Sequence, residues 1–260
     1  MTDQAESWSR VARRYEKEFI DPYRAGVRSP LLARLKKVAA RGKVAADLGC
    51  GIGPLLPELA ARFRHVYAVD FAPGMLDRAR ERCRGLNNIT YVHSPLDDLQ
   101  ELSGKIDVAV AVNSLVMPSV AEQDRCLGQI LAALRPKGSF LGILPAMDSV
   151  HYYTMLLLDR ALAGGKPMSA ARKNAAHFND HALYDFAFGQ FRFEGIEQHF
   201  WQPFEVRYRL RKAGFRGVRL QRVLLDWAQF SWGEDFKRFT PPWDWYLEAR
   251  RPENHPSRAS

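Results

Sequence analysis

The sequence predicts a doubly wound α/β fold. Two observations carry that expectation. From residue 43 onward, short β-branched or apolar runs alternate with helical patterns, and four strand–helix alternations fall within about 100 residues. The runs are also apolar at most positions, as in strands of a parallel sheet covered by helices on both faces.

The elements follow in order. Lys43 to Leu48 (KVAADL) reads as the first strand. Pro54 to Arg64 reads as a helix with proline in its opening turn, where a missing N–H costs nothing. His65 to Val69 is the second strand, and Gly74 to Arg84 a helix with Leu76, Ala79 and Arg80 at helical spacing. Ile89 to Val92 is the third strand and Ile106 to Val112 (IDVAVAV) the fourth. Glu122 to Leu134 forms a helix stopped by Pro136 and Gly138, and Ser139 to Leu144 is the fifth strand. The rhythm then breaks. From Met147 to Pro203 the chain is dense in histidine and aromatics, and Gly164, Gly165 and Pro167 mark a turn between two helical halves. A mostly helical lid is expected. Regularity returns with a helix from Pro203 to Ala213, a turn at Gly214, a strand from Val218 to Leu225, an aromatic connection from Trp227 to Trp243, and a last strand around Trp245 to Ala249. The expected organisation is an N-terminal helical cap over 1–42, an α/β core over 43–145 and 204–252, and a lid inserted over 146–203.

Composition narrows the class. The 260 residues are 47% hydrophobic, and no stretch approaches the roughly 20 uninterrupted apolar residues of a membrane span. The start, MTDQAESWSR, has no apolar segment behind a basic one, so a cytoplasmic protein without membrane partners is expected. Cys50, Cys83 and Cys126 are too few and too scattered for a disulfide framework or a CxxC metal site, so no metal is expected. The net charge of +9 raises nucleic acid as a partner. The basic clusters are modest, however: Arg10, Arg13 and Arg14, then Arg207, Arg209, Arg211 and Lys212, each interleaved with apolar residues. Solvated helix faces are the better reading.

The sharpest local signal is Asp47-Leu48-Gly49-Cys50-Gly51-Ile52-Gly53-Pro54, a glycine-rich turn between the first strand and the first helix. Alternate glycines let the chain turn tightly and let a ligand lie directly on main-chain atoms. Seventeen residues after Gly53, Asp70 closes the second strand, where a carboxylate can accept both hydroxyls of a ribose lying over the turn. The dinucleotide fingerprint GxGxxG fails in both registers, because its third position falls on Pro54 or Leu56. A nicotinamide-dependent oxidoreductase is thereby disfavoured. Acid-x-Gly-x-Gly-x-Gly is met in full by Asp47, Gly49, Gly51 and Gly53.

In these motifs the sequence resembles the class I S-adenosylmethionine-dependent methyltransferases. VAADLGCGIGPLLPELA is similar to the family's first motif and VYAVDFAPGMLDRAR to its second, while IDVAVAVNSLVM and LRPKGSFLGILP resemble the fourth-strand motif and the helix-turn-strand after it. The resemblance implies a Rossmann-like, seven-stranded, mostly parallel sheet. It implies S-adenosylmethionine as cofactor, with S-adenosylhomocysteine as product, held by Asp47, Gly49, Cys50, Gly51 and Gly53 in the turn. Asp70 would take the ribose, Phe71 and Met75 would flank the adenine, and Asn113 would present main-chain groups to the methionyl end. WSRVARRYEKEF resembles a helix that closes over the cofactor with an aromatic, here Tyr15. Pro95 stands where the family often carries an Asp that accepts from the adenine amino group. Leu96 then offers its backbone N–H, with Asp97 nearby.

A methyl transferred from a sulfonium needs a nucleophile held in line, and a base only when the acceptor arrives protonated. The base candidates are His151, His177, His181 and His199, with His177 and His181 at i and i+4. Tyr184, Trp201 and Trp232 are the candidate walls of an acceptor pocket. After the fourth strand the chain reads Asn113-Ser114-Leu115-Val116, which lacks both the Pro-Pro-aromatic motif of exocyclic base methylation and the Cys nucleophile of cytosine chemistry. A small-molecule O or N acceptor is expected, on a monomer or homodimer. The rivals are a non-catalytic binding or scaffold module of the same fold, and an RNA methyltransferase.

Overall fold

The computed structural model describes residues 22–253 except 24, 177–182, 186 and 194–195. Seven strands form the central sheet, in the order β3-β2-β1-β4-β5-β10-β9. They are β1 (Val44–Leu48), β2 (His65–Asp70), β3 (Ile89–His93), β4 (Ile106–Val112), β5 (Leu134–Pro145), β9 (Arg216–Leu224) and β10 (Trp243–Arg250). The first five run parallel, and β10 lies antiparallel between β5 and β9. Every side chain of β1 is buried, as the apolar runs require of a central parallel strand.

Helices cover both faces. On one side α1 (Leu31–Val38), α2 (Leu56–Arg62) and α3 (Pro73–Arg82) pack Leu35, Leu59, Leu76 and Ala79 against Ala45, Val66, Val108 and Ile143. On the other, α4 (Val120–Ala133) and α7 (Pro203–Ala213) pack Ile130, Val206 and Leu210 against Ala109, Phe140 and Leu247. The expected elements lie where the sequence placed them, with shifted ends. The first helix starts at Leu56 rather than Pro54, because Gly53 O first accepts the Leu56 N–H in a turn and Pro57 occupies the opening positions. The last strands start earlier than expected, since their ladder runs from Arg216 opposite Arg250 to Leu224 opposite Trp243.

The insertion corrects the expectation of a mostly helical lid. It begins with a helical hairpin, α5 (Met147–Ala163) and α6 (Met168–Ala176), but continues as a three-stranded antiparallel sheet of β6 (Leu183–Asp185), β7 (Gln190–Phe193) and β8 (Ile196–His199). Aromatic residues at alternate positions and Gly189 at φ +68 favour strands there. The hairpin packs away from the cleft: Tyr153 and Leu157 cluster with Ala175, Trp227 and Phe236 of the β9–β10 connection. Among the described residues no helix is long and apolar enough to cross a membrane.

Candidate active site

The site forms at the carboxyl ends of the parallel strands, where chain order reverses between β1 and β4. Three segments meet there. Leaving β1, the chain turns at once: the N–H groups of Gly49 and Cys50 both donate to Val69 O, at 2.8 and 2.9 Å. All three glycines of the turn have positive φ, at +72, +53 and +76. Two of them are also demanded by packing. A Cβ on Gly49 would lie 2.3 Å from Ser114 Cβ, and one on Gly53 would lie 3.1 Å from Ala79 Cβ. A Cβ on Gly51 would meet nothing within 4 Å.

Asp70 ends β2 with its carboxylate already oriented. Oδ2 accepts the Gly51 N–H and Oδ1 the Ala72 N–H, both at 2.9 Å. The carboxylate keeps acceptor capacity for a further donor. Burial pushes the Asp70 carboxyl up, while the N–H groups of Ala72 and Gly51 pull it back. Asp47, 3% exposed beneath the turn, is pushed up to about 7 by burial and by the neighbouring Asp70. At the end of β4, Asn113 sits at φ +51 with its N–H donated to Ile143 O at 2.8 Å. The Ser114 hydroxyl donates to Leu48 O at 2.6 Å, tying the β4 end to the glycine turn.

These segments line an open cleft of about 980 Å³, its mouth included. Gly49, Gly51, Asp70, Phe71, Met75, Leu96 and Asn113, all expected from the sequence, lie on its wall. Three features fit an adenosine-bearing sulfonium cofactor. The space beside Gly51 is a cradle that a side chain would fill, Asp70 presents acceptor capacity over it, and Asn113 Oδ1 is buried without a hydrogen-bond partner. Asp47, Cys50 and Gly53 stand behind that wall, the Cys50 thiol buried and held well above its usual range by burial and by Asp47.

The fold and the site together resemble those of a class I S-adenosylmethionine-dependent methyltransferase domain. The family described as "Methyltransferase domain" matches residues 45–138, which hold the glycine turn, Asp70 and the β4 end. Among curated proteins, the demethylmenaquinone methyltransferase of Clavibacter sepedonicus is 35% identical over 97 residues, 37% of this chain and 39% of that protein. The match thus spans well under half of that relative's length. The SAM-dependent methyltransferase of Methanosarcina mazei superposes with a TM-score of 0.60 at 16% identity, over 85% of this chain and 98% of that one. The 1,6-didemethyltoxoflavin-N1-methyltransferase of Burkholderia thailandensis, solved with its acceptor and S-adenosylhomocysteine, gives a TM-score of 0.59 at 17% identity over 96% of this chain and 86% of that one.

Other expected site residues lie elsewhere. Trp201 is 1% exposed, donates Nε1–H to Leu115 O at 2.7 Å and belongs to the core, not to an acceptor pocket. Trp232 is exposed on the β9–β10 connection with the Arg160 guanidinium 3.8 Å over its ring, and is not on the cleft wall. His151 is exposed on α5, away from the wall. His199 is 3% exposed and its Nε2 pairs with Glu205 Oε2 at 2.9 Å, in a network with Arg209, Asp124 and Lys212. A histidine so engaged is a strut between β8 and α7 rather than a free base. Tyr15, His177 and His181 lie outside the described residues, and Tyr184 is placed only by its backbone in β6, opposite Phe191. Asp97 is committed to Arg125 at 3.2 Å.

The wall also holds residues that sequence reasoning missed. Glu122 comes from the first turn of α4, where its N–H bonds the Ser119 capping hydroxyl, and burial and Asp97 push its carboxyl up. Glu197 and Gln198 come from β8, and a side pocket they share with Pro118 extends along Asp185, Gln190, Phe191 and Arg192. The Ser-x-x-Glu spacing at 119–122 was a readable helix-start signal; nothing local marks β8 as part of the site.

Proposed function

We propose that the protein transfers a methyl group from S-adenosylmethionine to an O or N atom of a small-molecule acceptor. The observation that carries the reading is the junction of the two motifs: the Gly51 cradle and the oriented Asp70 carboxylate meet on one wall, and β8 extends that wall into a side pocket. When bound, the cofactor's sulfonium supplies an activated methyl. The chain's own task is placement. Asp70 would hold the ribose, Phe71 and Met75 the adenine faces, and Leu96 the ring edge through its backbone N–H. Holding an acceptor in line can lower the barrier by roughly 7–11 kcal/mol.

The charged residues described on the wall are Asp70, Glu122 and Glu197. On a chain of net charge +9, this carboxylate lining repels a phosphodiester and supports a small acceptor over RNA. Calorimetric titration with S-adenosylhomocysteine and with NAD tests the reading. The wild type should bind the first at micromolar strength, ignore the second, and lose about 2–3 kcal/mol in Asp70→Ala, as for deleting a charged hydrogen-bond partner. Binding of neither ligand would return the molecule to the scaffold reading. Release of S-adenosylhomocysteine on incubation with a panel of amines and phenols would then separate enzyme from binding module.

A further inference from the structure

The basic run of α7 divides in two once the helix is packed. Arg209 and Lys212 are engaged within the chain: Asp124 of α4 takes both, at 3.2 and 2.7 Å, and Glu205 also holds Arg209, at 2.7 Å. Val206 and Leu210 are buried against the sheet. What remains is a face of four residues, Phe204, Arg207, Tyr208 and Arg211, at the i, i+3, i+4, i+7 spacing that puts side chains on one side of a helix. All four are exposed, and among the described residues neither Arg207 nor Arg211 has a carboxylate partner.

The fold gains nothing from this face. Phe204 and Tyr208 are 70 and 63% exposed, two of the three most exposed large apolar side chains among the described residues. Like charges at i and i+4, as on Arg207 and Arg211, destabilise a helix. The two rings form one row along the axis and the two guanidiniums a second row beside it, each pair about 6 Å apart in rise. An apolar row bordered by a cationic row is the complement of an amphipathic helix with carboxylates along one edge, and aromatics and arginine are the residue types that anchor interfaces. Two other occupants fit worse. A second copy docked through the same face about a two-fold axis brings Arg207 and Arg211 against their own copies. A nucleic-acid strand is held by a cationic groove that tracks its backbone, whereas these cations lie on a convex helix just beyond β8, whose Glu197 lines the neighbouring cleft.

We propose that the outer face of α7 is the docking site for an acidic amphipathic helix of a partner protein, with Phe204 and Tyr208 packed against its apolar stripe and Arg207 and Arg211 paired with its carboxylates. The surface adjoins the cleft through β8, which His199 and Glu205 tie to α7. None of the four residues lines the cleft, so the surface does not depend on what the cleft binds.

The probe is a fluorescein-labelled helical peptide of three heptads, with leucine at the a and d positions and glutamate at e and g, whose like charges keep it from pairing with itself. A counterpart carries lysine in place of glutamate. Read by fluorescence anisotropy against the full chain, the wild type should bind the acidic peptide saturably, more weakly as salt rises, and should not bind the basic one. Arg207→Glu with Arg211→Glu, and Phe204→Ser with Tyr208→Ser, should each weaken binding at least tenfold. Lys36→Glu with Lys37→Glu makes the same change of charge on α1, at the opposite face of the sheet, and should stay within twofold of wild type. If the charge reversal on α7 does not fold, Arg207→Gln with Arg211→Gln carries the comparison. No binding of the acidic peptide, an equal loss in the α1 variant, or a loss confined to the arginine variant, as for diffuse attraction to a chain of net charge +9, overturns the proposal. So does binding of a single-stranded RNA dodecamer, or self-association in sedimentation velocity, that the α7 variants abolish.

Discussion

Two alanine substitutions separate what the glycine turn does for the fold from what it does for a ligand. Gly49 and Gly51 both have left-handed backbones, at φ +72 and +53, which cost a residue with a Cβ about 1–2 kcal/mol. They differ in what the added methyl meets. At Gly49 it would lie 2.3 Å from Ser114 Cβ, and Ser114 cannot simply retreat while its hydroxyl holds Leu48 O at 2.6 Å. Overpacking of this kind adds about 1–3 kcal/mol, so Gly49→Ala should destabilise by about 3 kcal/mol or more. At Gly51 the methyl meets nothing within 4 Å, so Gly51→Ala should cost only the backbone term, about 1–2 kcal/mol. The N–H that Gly51 donates to Asp70 survives the change. Its methyl, however, enters the space assigned to the cofactor. Urea denaturation should therefore rank Gly49→Ala well below Gly51→Ala, while calorimetry shows Gly51→Ala losing at least tenfold in S-adenosylhomocysteine affinity. Unchanged affinity in Gly51→Ala, or equal destabilisation by the two, would refute the reasoning.

Further outcomes follow from the buried charges and the core. Asp47 and Asp244 are both pushed up to about 7, chiefly by burial, from an ordinary 3.8. Each therefore contributes stability that is complete below about pH 4 and is lost as pH rises through about 7, by up to roughly 4 kcal/mol for one group. Asp47→Asn should be more stable than wild type in urea at pH 8 and no more stable at pH 4; a constant difference across that range contradicts it. Glu205 runs the other way. Burial pushes it up, but the hydrogen bonds from His199 and Arg209 outweigh that and hold it low, so its contribution is present above its ordinary value and lost as pH falls. Glu205→Gln should cost about 1–3 kcal/mol at pH 7, read by thermal unfolding, with the difference shrinking toward pH 3. Trp201→Phe removes the hydrogen bond to Leu115 O and should cost about 1–3 kcal/mol in stability while leaving S-adenosylhomocysteine affinity unchanged. A loss of affinity with stability intact would put Trp201 back in the pocket.

Much of this protein was legible locally. A strand buried on both faces shows as a run such as VAADL, and a turn that needs positive φ shows as alternate glycines, because each constraint acts within a few residues of chain. The alternation set the parallel sheet, and the spacing from Gly53 to Asp70 set one crossover from the turn to the end of the next strand. The histidine-rich insertion misled because composition does not say which face a side chain turns to. His199 is taken up by Glu205 and Trp201 by Leu115 O, while Glu197 and Gln198, the two residues before His199, line the cleft. What the sequence by itself determined was the order of strands and helices and the glycine turn. Only the tertiary structure decided which distant segments complete the site: β8 reaches it from the insertion, its His199 N–H donating to Val116 O at 2.8 Å beside the β4 end, a contact across 83 residues of sequence that no local pattern encodes.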